Sequence, residues 1–128
     1  MSFAVRILRL IDTFPRTPAT DVIARQLAKS STSVGANYRA ACNARSKPEF
    51  IAKLQIVVEE AEESVYWLDV IDRTKQLPAA DSKVHAEATE LLAIFARSLH
   101  TARLNLRHAN QGGKGDPGLR SSDAPPND

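Results

Sequence analysis

Apolar residues recur every three or four positions in four separated segments of the chain, which is the spacing of helices that bury one face. The predicted helices cover about residues 2–14, residues 18–45, a stretch between Ser46 and Leu77, and a stretch from about Asp81 to residue 108. Because the links between these segments are short, the pattern predicts an all-α fold, an antiparallel up-down-up-down four-helix bundle.

Capping residues mark where three of the predicted helices begin. Thr17 is the expected N-cap of the second helix. Ser46 and Glu49 have the capping-box spacing at the start of the third helix, so that each side chain can satisfy a free backbone N–H group. Asp81 or Ser82 is expected to cap the fourth helix.

The composition suits one helical domain followed by a polar tail. Aromatic residues are scarce, and 128 residues are enough to bury a core. We assign residues 1–108 to the bundle and residues 109–128 to a flexible tail, which has few apolar side chains and is expected to be disordered. The single Cys42 excludes an internal disulfide, fits a reducing compartment and is expected to be a small core residue.

Neither end of the predicted bundle shows a membrane or export signal. No apolar run approaches the ~20 residues that a membrane span needs. The first residues of the chain also lack a basic stretch followed by a long apolar segment, which a secretory signal would have. We therefore expect a cytoplasmic protein that makes no contact with membranes.

The interior of the second helix, from Ser30 to Ala41, consists largely of small residues and includes Gly35 and Asn37. Glycine costs about 1 kcal/mol relative to alanine in a helix interior, so helix propensity does not explain this choice. Such a run is tolerable where neighbouring helices approach closely. Asn37 falls near the edge of the apolar stripe, where a buried amide needs hydrogen-bond partners.

Several segments, in this order and spacing, resemble one known family. They are Phe14-Pro15, Gln26-Leu27 leading into residues 33–41, residues 46–50, and residues 60–68. The family is that of the rRNA-intervening-sequence proteins, also called four-helix-bundle proteins. The resemblance implies a ring-like homopentamer and kinship with the accessory protein of diversity-generating retroelements, which binds a reverse transcriptase and nucleic acid. It also implies a packing or interface role for Gly35 and Asn37.

Basic residues are concentrated in the first part of the chain. Residues 1–55 have nine Lys/Arg and three Asp/Glu, a net charge of +6, whereas residues 56–128 have a net charge of −4. On the second helix, Arg25, Lys29 and Arg39 project opposite the apolar stripe, where they could reach a phosphate backbone. The candidate nucleic-acid-binding residues are these three together with Arg16, Arg45, Lys47 and Lys53.

The alternative for these basic residues is an ordinary solvated helix face. No aromatic residues alternate with them, so stacking on bases is not indicated. Any binding should therefore depend on phosphate contacts and be poor in sequence specificity.

A second apolar stripe on the third helix predicts assembly of several copies. Ile56, Trp67 and Val70 lie away from the main apolar face of this helix, with glutamates between them. A monomer would expose this Trp, whereas a subunit interface would bury it. The alternative is that Trp67 lies flat along a groove of its own bundle.

No catalytic or metal-binding pattern competes with these interpretations. The four neighbouring glutamates of the third helix spread around its polar arc, and none has a histidine three residues later, as in di-iron bundles. They are Glu59, Glu60, Glu62 and Glu63. The three histidines of the fourth helix are 15 and 8 residues apart, unlike the short pair of a helical metal site. We expect no enzyme activity, no cofactor and no metal.

The sequence thus favours a non-catalytic, oligomeric binding protein that contacts RNA or DNA through the second helix. A protein partner such as a reverse transcriptase could take part. The alternative is a structural oligomer or a protein-interaction scaffold that does not bind nucleic acid.

Overall fold

The structure, a computed structural model, describes residues 2–74 and 82–112. These residues form four helices and no strand: α1 (Phe3–Ile11), α2 (Pro18–Cys42), α3 (Lys47–Thr74) and α4 (Ser82–Gly112). The prediction of an all-α four-helix fold is confirmed. Asp81, one of the two predicted caps of α4, and the predicted disorder from residue 113 onward lie outside what the structure describes. The other predicted cap, Ser82, is the first residue of α4.

The predicted helix starts agree with the structure better than the predicted ends. Thr17 caps α2 as expected, because its hydroxyl accepts from the Thr20 N–H while the Thr20 hydroxyl accepts from the Thr17 N–H. Ser46 accepts from the Glu49 N–H at 3.2 Å. The Glu49 carboxylate, however, accepts from the N–H of Arg45 at 2.9 Å, one residue earlier than the capping-box pattern requires.

Three predicted helix ends need correction. α1 stops at Ile11, because the Thr13 and Phe14 N–H groups bond three residues back, in a turn that leads to Pro15. α2 stops at Cys42 for the same reason, with the Ala44 N–H bonded to the Ala41 carbonyl. α4 continues to Gly112, past the boundary predicted at residue 108, so the backbone stays helical after the apolar spacing has ended.

Contacts between the helices show that neighbours run antiparallel. Four residues link α2 to α3, and Ser30 lies against Ser64, so the two helices form a hairpin. α3 then pairs with α4 through Asp69–His85 and, nearer the start of α3, through Gln55–Arg103. α1 packs against α2 and α4, as α3 does, so α1 and α3 occupy opposite corners of the bundle.

The core is divided into two clusters along the bundle axis. One cluster contains residues of all four helices: Ile7, Phe14, Ile23, Leu27, Leu68, Ile71, Val84 and Ala88. The other contains residues of α2, α3 and α4 only: Val34, Ala41, Phe50, Leu54, Val57, Val58, Ala61, Leu99 and Ala102. We call the corresponding parts of the bundle the four-helix half and the three-helix half.

The short α1 explains this division. With 9 residues it spans about 13 Å, whereas the 25 residues of α2 span about 37 Å. α1 can therefore cover the groove between α2 and α4 only in the four-helix half. In the three-helix half, that groove remains open.

Candidate nucleic-acid interface

The seven basic residues predicted to bind nucleic acid fall into two groups. Four of them surround the α2–α3 turn at the three-helix end of the bundle: Arg39, Arg45, Lys47 and Lys53. The other three lie toward the four-helix half: Arg16, Arg25 and Lys29. Arg25 and Arg39 are 14 residues apart on one helix, which places them about 21 Å from each other along its axis. The structure does not bring the seven residues together in one patch.

Lys29 lies close to carboxylates of α3. Burial raises the pKa of Glu60, and the charge of Glu63 raises it further, whereas the Lys29 ammonium group lowers it and Glu59 raises it. The Oε2 atom of Glu60 is buried and has no hydrogen-bond partner in the described part of the chain. The positive charge of Lys29 thus interacts with the carboxylate of Glu60 in the same molecule. This makes Lys29 a poorer candidate for a phosphate contact.

The second half of α4 adds three basic residues that the sequence analysis missed. Arg97, Arg103 and Arg107 are all exposed, and so is His100 between them. Their spacing of three, three and four residues places these four side chains on one face of α4. One of them, Arg103, donates a hydrogen bond to the side-chain oxygen of Gln55 on α3.

A count of charges over a shorter stretch of the sequence would have revealed these residues. Residues 56–128 taken together combine the acidic part of α3 with the basic part of α4, so their net charge hides the basic stretch. Residues 91–112 alone contain three arginines and no acidic residue. Because α4 runs antiparallel to α3, this basic stretch lies at the same end of the bundle as the α2–α3 turn.

Charge is therefore separated along the bundle axis. Residues 37–58 and 92–112, which we call the basic end, contain seven Lys/Arg and one acidic residue, a net charge of +6. The rest of the described chain, residues 2–36, 59–74 and 82–91, contains seven Lys/Arg and ten Asp/Glu, a net charge of −3. A phosphate backbone approaching the molecule is attracted to one end and repelled from the other.

The predicted subunit-interface residues of α3 differ in exposure. Ile56 is 36% exposed, whereas Trp67 and Val70 are half-buried and pack against the core of the four-helix half. The indole N–H of Trp67 donates to Glu63 at 3.4 Å. Neither alternative for Trp67 is eliminated, because part of the ring packs on its own bundle and part stays accessible. Tyr66, which the sequence analysis left out, is 57% exposed and meets Trp67 edge-on.

Gly35 and Asn37 lie on different sides of α2. Asn37 is half-buried and donates from its side chain to the Ser33 carbonyl at 2.9 Å, within its own helix. Gly35 is exposed, and no described atom outside its own helical turns would lie within 4 Å of a Cβ added there. Helices of the same chain therefore do not account for Gly35, and an interface role for it stays a prediction.

The structure corrects one further expectation. Cys42 is not a core residue but is exposed, because α2 ends there and its side chain points away from both core clusters.

His85 contacts Asp69 at 2.5 Å and joins α4 to α3. Residues 2–74 and 82–112 contain no group of three or more His, Cys, Asp or Glu that could hold a metal ion.

Comparison with known proteins agrees with the fold and with the spacing of the motifs. The profile of the 23S rRNA-intervening sequence proteins matches residues 1–97. The chain belongs to the 23S rRNA-intervening sequence protein family. This family match confirms the resemblance seen in the segments of α2 and α3. The match ends at Arg97, so Arg103 and Arg107 of the basic end lie outside the matched residues.

A solved structure supports the same assignment. A protein of unknown function from the S23 ribosomal protein family of Bacteroides thetaiotaomicron has 34% sequence identity to this chain and a TM-score of 0.68. The similarity covers 76% of this chain and 91% of that protein. No functionally curated protein matches this member of the family. In the helices that the structure describes, none is long and apolar enough to cross a membrane.

Proposed function

We propose that this family member is a non-catalytic, oligomeric protein whose basic end contacts the phosphate backbone of RNA or DNA. The observation that carries the proposal is the separation of charge, +6 at the basic end against −3 in the rest of the described chain. Lys and Arg side chains that neutralise phosphates release counterions, which favours binding without regard to sequence. The lone cysteine supports placing the protein in the cytoplasm.

The basic end offers charge but no exposed stacking surface. Its aromatic residues are Tyr38, which precedes Arg39, together with Phe50 and Phe95, and all three are buried or half-buried in the three-helix half. Exposed aromatic side chains are what single-strand binding proteins use to stack on bases. We therefore propose binding that follows the phosphate backbone and discriminates little between sequences.

Two matched triple variants test where nucleic acid binds. The first reverses three exposed charges of the basic end: Arg45→Glu, Arg97→Glu and Arg107→Glu. The second reverses three exposed charges elsewhere: Arg16→Glu, Arg25→Glu and Lys29→Glu. Both variants change the net charge equally, so a difference between them reports position. Affinity for a generic RNA duplex is measured at low salt, and circular dichroism checks that each variant keeps its helices.

We expect the first variant to lose binding and the second to retain it. Loss of binding in the second variant alone would move the interface to the middle of α2. Equal loss in both would mean that net charge and not a particular surface governs binding. Absence of binding by the unmodified protein even at low salt would reject the proposal.

We also propose that the protein assembles as a homo-oligomer, a homopentamer by analogy with the family. Exposed apolar side chains on the outer face of α3, Ile56 and Tyr66 beside the half-buried Trp67, support assembly. A ring would repeat the basic end once per subunit and multiply its phosphate contacts. The same apolar face favours the alternative function, a scaffold for proteins such as a reverse transcriptase. The mass in solution and the RNA titration together separate the two functions.

A further inference from the structure

The groove between α2 and α4 continues past the first residues of α1 and stays open in the three-helix half. It has a volume of about 600 Å³. Val34, Gly35, Tyr38 and Arg39 line it on α2, and Leu91 and Phe95 line it on α4. The rings of Tyr38 and Phe95 meet with centroids 5.3 Å apart. An apolar surface of this size, with one cation at its edge, is suited to an apolar helix face that carries acidic residues.

The part of the groove that α1 covers shows what fits there. α1 lies in the same groove in the four-helix half, where Arg6 forms an ion pair of 2.7 Å with Glu87 of α4. Ile94 follows Glu87 by seven residues and so lies two turns farther along the same face of α4. It is 40% exposed, since α1 does not extend over it. The groove thus continues beyond the N-terminal end of α1 as an apolar surface against which a helix can pack.

Gly35 adds a second indication that something approaches this groove. It lies in the interior of α2, where it costs about 1 kcal/mol relative to alanine. No described atom outside its helical turns would lie within 4 Å of a Cβ at this position, so packing inside the chain does not require glycine. An incoming helix would benefit, because the missing side chain permits close approach of its backbone.

The same protein has a second partly exposed apolar surface, on the outer face of α3. We call it the α3 ridge: Ile56, Tyr66, Trp67 and Val70, with Glu59 and Glu63 among them on the outer face of α3. α3 occupies the corner opposite α1, so the ridge and the groove lie on opposite sides of the bundle, and a chain cannot fill its own groove. The ridge carries the carboxylates of Glu59 and Glu63, and the edge of the groove carries Arg39, so the two surfaces are opposite in charge.

We propose that the α3 ridge of one copy seats in the α2–α4 groove of the next copy. The contact joins two unlike surfaces, so it is heterologous, and each subunit uses both its ridge and its groove. Repetition of such a contact closes a ring or extends a filament. This inference rests on the proposed homo-oligomer. It places Arg39 in the subunit contact and leaves the other six Lys and Arg residues of the basic end for nucleic acid.

Two variants, each damaged on one surface, test the pairing. Gly35→Trp fills the groove and leaves the ridge intact. Ile56→Arg with Tyr66→Arg places cations on the ridge, opposite Arg39, and leaves the groove intact. Val22→Arg is the matched control, because Val22 is exposed on α2 outside both surfaces. Masses are measured by sedimentation velocity, and helical content is checked by circular dichroism.

We expect the control to assemble as the unmodified protein does and each damaged variant to be monomeric. A one-to-one mixture of the two damaged variants should form dimers but no larger assembly. The intact ridge of one variant pairs with the intact groove of the other, and the dimer then has no second pair of intact surfaces. A monomeric unmodified protein, or damaged variants that still assemble, would overturn the inference. A mixture that stays monomeric would overturn the pairing of ridge with groove. RNA affinity of the monomeric Gly35→Trp variant, which keeps every charge of the basic end, tests the nucleic-acid proposal separately.

Discussion

The hydroxyl groups of Ser30 and Ser64 lie 3.0 Å apart and form a hydrogen bond across the interface between α2 and α3. Both residues are fully buried. Each hydroxyl also lies near a carbonyl of its own helix, at 3.3 Å from Leu27 and at 2.9 Å from Glu60. The two helices therefore meet through small side chains whose polar groups are satisfied, and the space between them is filled without large residues.

Enlarging Ser64 should damage the fold more than removing its hydroxyl. Ser64→Leu adds methylene groups where the two helices are in close contact, and we expect a loss of about 1–3 kcal/mol in the free energy of unfolding. Ser64→Ala removes the hydroxyl that bonds both Ser30 and the Glu60 carbonyl but leaves the Ser30 hydroxyl its Leu27 carbonyl partner, so the expected loss is about 1 kcal/mol. Urea denaturation followed by circular dichroism measures both.

Thr32→Leu is the control for this comparison, because Thr32 is exposed and lies on the side of α2 opposite to Ser30. Its stability should change by less than about 0.5 kcal/mol. If Ser64→Leu were as stable as this control, the helices would have room between them, and the close approach would not depend on small residues.

In the monomeric Ile56→Arg, Tyr66→Arg background, where no neighbouring copy fills the groove, Gly35 should be replaceable by alanine with a gain in stability. No described atom would clash with the added methyl group, and alanine is favoured over glycine by about 1 kcal/mol in a helix interior. The matched reverse change is Ala36→Gly at the neighbouring exposed position, which should cost about the same amount. Both are measured as shifts of the urea midpoint. A destabilising Gly35→Ala in this monomeric background would contradict the explanation by helix propensity.

The sequence allowed prediction of the helices and caps because those depend on local chemistry. The spacing of apolar residues and the hydroxyl of Thr17 act within a few residues, and both agree with the structure. The exposure of Cys42 could not be predicted in this way. It depends on where α2 ends, and Cys42 becomes the last residue of the helix because the chain turns immediately afterwards.

The candidate site could be predicted only in part, since charges gather at a surface through tertiary structure. Arg45 and Arg107 are 62 residues apart in the sequence, yet both lie at the basic end because α4 runs antiparallel to α3. Arg16 and Arg25 are much nearer in sequence to Arg39 and lie toward the other half. The open groove was equally hidden, because it results from the difference in length between α1 and α2.

Neutralising Glu60 should stabilise the protein at neutral pH. Burial, followed by the charges of Glu63 and Glu59, raises the pKa of this carboxyl in the folded state despite Lys29. A raised pKa means that the folded state holds the proton more tightly than the unfolded state does. Stability from this group is thus fully present below the ordinary pKa of glutamate and is lost as the pH rises through the raised value.

Glu60→Gln imitates the protonated form, so the variant should unfold at higher urea than the unmodified protein at pH 7. At about pH 3, below the ordinary glutamate pKa of about 4.3, the two proteins should be equally stable. Glu62→Gln is the control on the exposed side of α3 and should show no such dependence on pH. An equal shift for Glu60→Gln at both pH values would contradict the explanation by burial of charge.

The salt dependence of RNA binding should count the phosphate contacts of the basic end. The logarithm of the binding constant falls linearly with the logarithm of the salt concentration, and each phosphate contact on a duplex contributes a slope of about 0.9. Arg107→Ala removes one exposed cation from each basic end, so the slope should become shallower by about 1 for each subunit that contacts the duplex, and the affinity should fall similarly for all sequences. Arg9→Ala, an exposed cation of α1, is the control and should leave the slope unchanged. Equal slopes for the Arg107 variant and the unmodified protein would remove Arg107 from the interface, and a loss confined to one RNA sequence would argue against recognition of the backbone.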